Sequence, residues 1–280
     1  MEIQIVKRTM VAAAPGPGSD PPGALSRDDV VNRLADGGSR DLARADLRGA
    51  DLHGLDLRRA NLDHATLNGA NLTGADLSHA SLVEACLSGA LFADANLSNA
   101  DLRDANSVRS GASDSPVDLT GAMMRGANLL GCDFSRAKLA AADLQGAIAQ
   151  ESNFSHADLT GARMRGMDLN GANLRHAELH LAILADAKLD TADLSHAQAQ
   201  GASFAGATMR RTVLSEANLQ GADFSRADLS EADLSAANLR GANLTGADFF
   251  HADLGDARMD GATLGDAKLQ AASNYRAPRA

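Results

Sequence analysis

The chain has 280 residues and a formal net charge of −10, and 45% of its residues are hydrophobic. It has no tryptophan and one tyrosine, so the thick aromatic core of an ordinary enzyme of this size is not expected. No apolar run is long enough to span a bilayer, and the first residues lack a signal-peptide core, so we expect a cytoplasmic protein.

The N-terminal segment, residues 1–23, differs in composition from everything after it. Apolar and polar residues alternate at the start of the chain, which would place Ile3 and Ile5 on one side of an extended segment. A linker rich in proline and glycine follows. Two interpretations remain open for the start: a short strand that pairs with a sheet edge, or a disordered terminus. We therefore predict a flexible segment and linker.

A short helix is predicted within residues 24–39. Ser26 is a suitable N-cap, Asp29 stands three residues later as in a capping box, and two glycines follow Ala35. The predicted apolar face consists of Val30, Val31 and Leu34. The helix is therefore expected to run from Ser26 to Ala35.

The rest of the chain repeats every five residues. Leucine or phenylalanine usually occupies the central position, alanine stands two residues before it, and aspartate or asparagine lies between them. Thirteen centres run from Leu42 to Leu102, and thirty-one run from Leu119 to Leu269. We therefore assign residues 40–102 and 119–270 to one repetitive architecture.

The five-residue period favours short strands joined by bends. On an extended backbone, the side chains of residues that are two apart point to the same side. A helix instead needs apolar residues three and four apart. A side of three residues is about 10 Å long, close to the distance at which sheets pack face to face. Four sides, or about twenty residues, would close one self-filled coil, and successive coils would stack about 4.8 Å apart.

The motif Ala-(Asp/Asn)-(Leu/Phe)-X-X, which runs from Asp41 to about Gln270, resembles that of the pentapeptide-repeat family. The resemblance implies an all-β fold, a right-handed quadrilateral β-helix, here with a short N-terminal capping helix. A solenoid exposes a sheet edge at each end, and proteins cover such edges. We expect the helix to cover the first coil. The tail, residues 271–280, contains no capping or dimerisation helix, so oligomers through exposed solenoid ends remain open.

The repeat is interrupted between Leu102 and Leu119, which are 17 residues apart and so out of register. Residues 103–118 are rich in serine, aspartate and glycine and are predicted to form a projecting loop or a distorted corner. The resemblance implies a contact role, because a projecting loop matters in relatives that protect DNA gyrase. The candidate contact residues are Arg103, Asp104, Arg109, Asp114 and Pro116.

Residues twenty apart should lie above one another, which places several carboxylates near the C-terminal end of the rod. The predicted acidic patch consists of Asp193, Asp228, Asp233, Asp248 and Asp253. One interpretation is a partner-binding surface that mimics the DNA backbone, as the resemblance to gyrase-protecting members implies. The other is that aspartate provides solubility and local hydrogen bonds.

His156, His176 and His196 are also twenty residues apart and should form a ladder of imidazoles. A metal site and a pH-sensitive contact surface are possible roles, because neutral imidazole binds metals and titrates near neutral pH. A neutral surface stack is the simpler interpretation, since His64 and His79 occupy the same place in their own repeats.

No catalytic signature stands out from the repeat. The sequence contains no phosphate loop, zinc spacing, dinucleotide fingerprint or basic aromatic strip. Cys132 occupies a small core position, and Cys86 points outward. We predict no enzymatic activity, no cofactor, no metal and no direct binding of nucleic acid or membrane.

Two functions follow from the resemblance. The first is a scaffold for protein–protein interaction, with an accessory or adaptor role in bacterial secretion machinery suggested by the entry to the repeats at Ser26–Leu57. The alternative is a DNA mimic that binds gyrase or topoisomerase IV and confers resistance to topoisomerase poisons. The expected partner is accordingly a secretion-system component or a type II topoisomerase.

Overall fold

The structure is a computed structural model that describes residues 23–35, 40–107 and 115–274. Its one helix within these ranges, α1, spans Arg27–Ala35. The expectations for residues 1–22, for the two glycines after Ala35 and for residues 275–280 lie outside the described residues. Nearly everything else in the described ranges belongs to a regular series of turns and bridges.

The start of α1 confirms the predicted capping box. The amide and the Oγ of Ser26 donate hydrogen bonds to Oδ2 of Asp29, at 2.9 and 2.7 Å, and the Asp29 amide donates to Ser26 Oγ. Val30 is buried against the first coil, and Leu34 packs beside it. The prediction for Val31 was wrong. Its side chain is 38% exposed, because Val31 lies on the side of α1 that faces away from the coils.

Successive coils are joined by parallel bridges between residues twenty apart. The series starts with Asp41 and Asn61 and continues to Asp253 and Ser273. Each bridge is one residue wide: the Thr66 amide donates to the Ala45 carbonyl, and the Leu47 amide donates back to the Thr66 carbonyl, both at 2.9 Å. Twenty residues per coil and one bridge every five residues give four sides.

We number the four sides, which we call faces, by their first bridged residue. Face 1 begins at Asp41, face 2 at Asp46, face 3 at Asp51 and face 4 at Asp56. A two-residue turn separates each face from the next. The second turn residue adopts a left-handed conformation, as at His79 with φ of 59°. Glycine, aspartate and histidine tolerate this conformation and are frequent at the corners, where arginine and glutamate also occur.

The interior is filled by the central residues and the alanines before them. These side chains are almost all fully buried from the first coil to Phe249. Phenylalanines on face 4 stack inside the tube, with the rings of Phe204 and Phe224 4.8 Å apart. Cys132 replaces an alanine, is buried as predicted, and its burial raises the pKa of the thiol. Every coil therefore packs against the coils above and below it.

The interruption of the repeat is an insertion at one corner. Asn106 on face 2 still pairs with Cys86, and Asp118 on face 3 pairs with Leu91. Across this point the bridged residues are 27 apart instead of 20, so seven residues are added between faces 2 and 3. Ser107 takes a central position and is buried. The predicted loop, residues 103–118, is therefore wider than the irregular segment.

The two ends of the described rod differ. At the N-terminal end, the Leu25 amide donates to the Asp46 carbonyl at 2.7 Å, and the Arg27 guanidinium donates to the Asp51 carbonyl at 3.1 Å. Arg40 donates to the Asp56 carbonyl in the same way. At the other end, no described strand pairs with the outer side of the last coil, where Leu264 and Leu269 are partly exposed.

Candidate functional site

The aspartates of the coils first serve the local fold. In most repeats Oδ1 of the bridged aspartate or asparagine accepts a hydrogen bond from the amide two residues later, as from Ser78 to Asp76 at 3.0 Å. The side chain therefore holds the turn at the corner. This role explains the abundance of aspartate without requiring a partner protein. It favours the interpretation in which the aspartates of the acidic patch provide solubility and local hydrogen bonds.

The predicted acidic patch spans two adjacent faces. Asp228 and Asp248 are bridged on face 1, and Asp233 and Asp253 are bridged on face 2. Asp193 lies on face 2 two coils before Asp233, with Val213 between them. The stacking predicted from the sequence is therefore present.

Three members of the acidic patch form ion pairs. Asp193 pairs with Arg175 at 3.0 Å, Asp228 with Arg210 at 2.6 Å and Asp248 with Lys268 at 2.9 Å. These ion pairs balance the charge of three of the five carboxylates, so the patch is less negative than its sequence suggests.

The pKa of Asp228 reflects this pairing. Partial burial alone would raise its pKa, but hydrogen bonds from Ser230 and Arg210 outweigh burial and lower it. The Asp228 carboxylate is thus held in its charged form, with its charge balanced locally by the guanidinium.

Asp233 and Asp253 are the two members without a cationic partner among the described residues. Asp233 accepts a hydrogen bond from the Ser235 amide, and Asp253 accepts from the Gly255 amide and from Asn274. The hydrogen bond from Asn274, followed by that from Gly255, lowers the pKa of Asp253. The net negative surface of the patch is therefore concentrated on face 2.

The described members of the predicted loop do not share one corner. Arg103 and Asp104 occupy a regular turn between faces 1 and 2, where Arg103 pairs with Asp101 at 2.7 Å. Pro116 lies at another corner, after the insertion. Arg109 and Asp114 lie outside the described residues. The first two residues were misassigned because the repeat continues through them.

The histidine ladder, His156, His176 and His196, is present on the corner between faces 2 and 3. The ring centroids of successive histidines are 4.8 Å apart, and the planes are within 9° of parallel. All three residues have a left-handed backbone. Partial desolvation, and then the neighbouring imidazoles, lower the pKa of His176.

The ladder has a basic end and an acidic end. Arg136 occupies the same turn position one coil before His156, and Glu216 occupies it one coil after His196. Nδ1 of His196 lies 3.4 Å from the Glu216 carboxylate. Within the described residues, no group of three or more potential ligands is placed to hold a metal ion. The rings stack on one another and do not converge.

A family profile described as pentapeptide repeats matches most of the chain. The matched ranges are 41–78, 70–106, 117–148, 137–175, 152–190, 192–230 and 227–266. The chain belongs to the pentapeptide-repeat family. The predicted fold class, a right-handed quadrilateral β-helix with a short helix at its N-terminal end, is confirmed.

Solved structures of other pentapeptide-repeat proteins resemble this chain. HetL from the cyanobacterium Nostoc sp. strain PCC 7120, described as involved in the regulation of heterocyst differentiation, is 30% identical with a TM-score of 0.56. That match covers 89% of this chain and 96% of HetL. No curated protein matched in the sequence comparison.

Two further pentapeptide-repeat structures are more distant. The plasmid-mediated fluoroquinolone resistance protein QnrB1 is 24% identical over 65% of this chain and 88% of its own, with a TM-score of 0.46. A protein of the Arabidopsis thaliana thylakoid lumen is 28% identical over 41% of this chain and 70% of its own, with a TM-score of 0.26. Among the described residues, the structure contains no helix with the length and apolarity needed to cross a bilayer.

One polar site on this pentapeptide-repeat rod was missed by the sequence analysis. Arg136 and His156 border a hollow beside the insertion, together with four serines. The twenty-residue spacing of Arg136 and His156 was visible in the sequence. The hollow was not, because the sequence does not show how the insertion rejoins the coils at this corner.

Proposed function

We propose that this chain is a rigid cytoplasmic scaffold that binds a protein partner on its outer surface, without enzymatic activity. The observation that carries the proposal is the filled interior. Within the described coils the central side chains fill the tube, and the hollow beside the insertion lies on the surface with a volume of about 290 Å³. This argument supports recognition over catalysis, because catalysis usually takes place in a pocket that surrounds its substrate.

Exposed apolar side chains supply a first candidate for the contact surface. Leu181 is 68% exposed at the corner between faces 3 and 4, and the neighbouring Ile183 is 43% exposed on face 4. Large apolar groups that stay in water at one place on a rigid surface favour a protein contact.

The proposal is tested by affinity capture from the native host with the full chain as bait. A specific partner should be recovered, and Leu181→Asp should reduce its recovery. Leu91→Asp, at an exposed leucine on face 3, serves as the matched control. Absence of any partner, or equal recovery with both variants, would contradict a contact at this corner. Mass spectrometry of the captured protein distinguishes a secretion-system component from a topoisomerase.

A second candidate is a DNA mimic that binds a type II topoisomerase. The stacked carboxylates of Asp233 and Asp253 favour it, since neither has a cationic partner among the described residues. The ion pairs of Asp193, Asp228 and Asp248 weigh against it, because they neutralise the rest of the patch.

A supercoiling assay with gyrase and a fluoroquinolone tests this candidate. The chain should protect supercoiling activity, and the double variant Asp233→Asn/Asp253→Asn should lose protection. Asparagine keeps the turn hydrogen bond, as it does in the native repeat at Asn71. The control is Asp76→Asn/Asp158→Asn, which removes equal charge elsewhere. No protection by the native chain would eliminate the topoisomerase hypothesis and leave the scaffold proposal standing.

A further inference from the structure

A polar hollow lies where the insertion rejoins the regular coils, at the corner between faces 2 and 3. Its volume is about 290 Å³. This is near the lower limit for small-molecule sites, roughly 300 Å³. It is lined by Ser107, Ser115, Pro116, Ser135, Arg136, Asn153, Ser155 and His156. The hollow could therefore hold a small polar group but not a large apolar ligand.

Several hydrogen-bond donors at this hollow are unused. The Arg136 side chain makes no hydrogen bond or ion pair with any described residue, unlike Arg103, which pairs with an aspartate. The hydroxyls of Ser115, Ser135 and Ser155 likewise have no partner among the described residues. A guanidinium presents fixed donors that suit a planar or tetrahedral oxyanion.

The nearby carboxylate of Asp133 does not line the hollow, and its described hydrogen bonds engage Oδ1. No carboxylate is present among the described residues that line the hollow. The nearby Asp133 accepts hydrogen bonds from the Ser135 amide and from the Asn153 side chain. Ser107 donates to the Asp133 carbonyl at 2.7 Å, so its hydroxyl is also engaged. The hollow therefore presents mainly donors on a protein of net charge −10.

The histidine ladder has a basic neighbour at one end and an acidic neighbour at the other. Its first ring, His156, borders the hollow beside Arg136, whereas its last ring, His196, contacts Glu216. The acidic end is thus three coils away from His156. A negative ligand is favoured at the Arg136 end of the ladder.

We propose that this hollow binds a small oxyanion of the phosphate or phosphate-monoester class. Arg136 contributes the charge-assisted hydrogen bonds, and the hydroxyls of Ser135 and Ser155 complete the donor set. His156, which also lines the hollow, supplies a further donor. The site is distinct from the exposed apolar corner at Leu181, and its occupancy does not depend on the protein partner.

Titration calorimetry with inorganic phosphate tests the proposal on the full chain. Saturable binding is expected, and Arg136→Ala should weaken it by about tenfold or more, since charge-assisted hydrogen bonds are the strong ones. Ser155→Ala should weaken binding by less.

Arg226→Ala is the matched control. Arg226 has the same left-handed corner geometry and no ion pair among the described residues, but its hollow also contains Asp186. It should leave phosphate binding unchanged. Alanine occupies the same turn position at Ala236, so both variants should fold, which circular dichroism verifies.

A parallel titration with a short phosphoserine peptide separates a free anion from one carried by a protein. Binding of either probe that depends on Arg136 supports the site, and the tighter probe identifies the source. The proposal is overturned if neither probe saturates, if Arg136→Ala binds as well as the native chain, or if Arg226→Ala loses as much affinity.

Discussion

At the scale of single residues, position within the pentapeptide decides the environment of a side chain. Leu184 is a central residue and is fully buried, whereas Leu181, three residues earlier, occupies a turn and is 68% exposed. Chemically identical side chains therefore contribute differently to the free energy of unfolding.

Leu184→Ala should lower the stability of the rod by about 2–5 kcal/mol, because it removes buried methyl groups and leaves a cavity. Leu181→Ala should change it by less than about 0.5 kcal/mol. Thermal unfolding followed by circular dichroism measures both. Equal effects of the two substitutions would contradict the assignment of inward and outward positions.

The central residues and their burial could be predicted from the sequence, because the period of five allows only one side of each strand to face inward. The corner geometry could not. Nothing in the order of residues fixes the left-handed conformation at His176 or the ion pair between Asp228 and Arg210. Such contacts depend on how the coils stack. They reduce the negative charge of the acidic patch that the twenty-residue spacing predicted.

At the scale of elements, α1 and the histidine ladder behave as separate units. The helix is held by the reciprocal hydrogen bonds of Ser26 and Asp29 and by the contact of Val30 with the first coil. The ladder is held by the spacing of the coils beneath it. A substitution in either element should act locally.

Ser26→Ala should destabilise α1 by about 1 kcal/mol, because the N-cap hydroxyl is lost. Hydrogen exchange should become faster in α1 and at the edge of the first coil, and remain unchanged in the central coils. Asn32→Ala, on the exposed side of α1, is the control and should not accelerate exchange. Faster exchange throughout the rod would show that the cap and the coils unfold together.

The ladder should make stability depend on pH. The pKa of His176 in the folded protein is lower than its ordinary value of 6.5. Between these two values the unfolded chain binds more protons than the folded one, so the free energy of unfolding decreases as pH falls below about 6.5.

His176→Asn should reduce this loss of stability, measured as the thermal midpoint at about pH 7.5 and about pH 5.5. His79→Asn is the control, because His79 has the same corner conformation and stacks on no other ring among the described residues. An NMR titration should place the midpoint of His176 below 6.5. A midpoint at or above that value would contradict the effect of stacking.

At the scale of the whole molecule, each coil interacts mainly with its two neighbours. The bridges fix the length of a regular coil at twenty residues, and the seven extra residues of the insertion lie at a corner. The number of coils should therefore be adjustable without loss of the fold.

Deletion of residues 158–177, a whole coil, should give a folded rod that is shorter by about 4.8 Å. Its thermal midpoint should stay close to that of the native chain. Deletion of residues 158–179 removes two more residues, leaves one side too short to close, and should lower the midpoint clearly. Circular dichroism and small-angle scattering measure the two variants. Equal stability of both would contradict the strict twenty-residue coil.

The first coil is covered by α1, whereas no further described strand pairs with the last coil, and this contrast has a consequence for biosynthesis. A ribosome releases the N-terminal end first, so α1 and the coil beneath it can form before later residues emerge. Each following group of twenty residues then meets a finished edge whose amides and carbonyls await partners. Coils can therefore be added one after another in the direction of translation. Each new coil pairs with the coil before it, before the last residue has been synthesised.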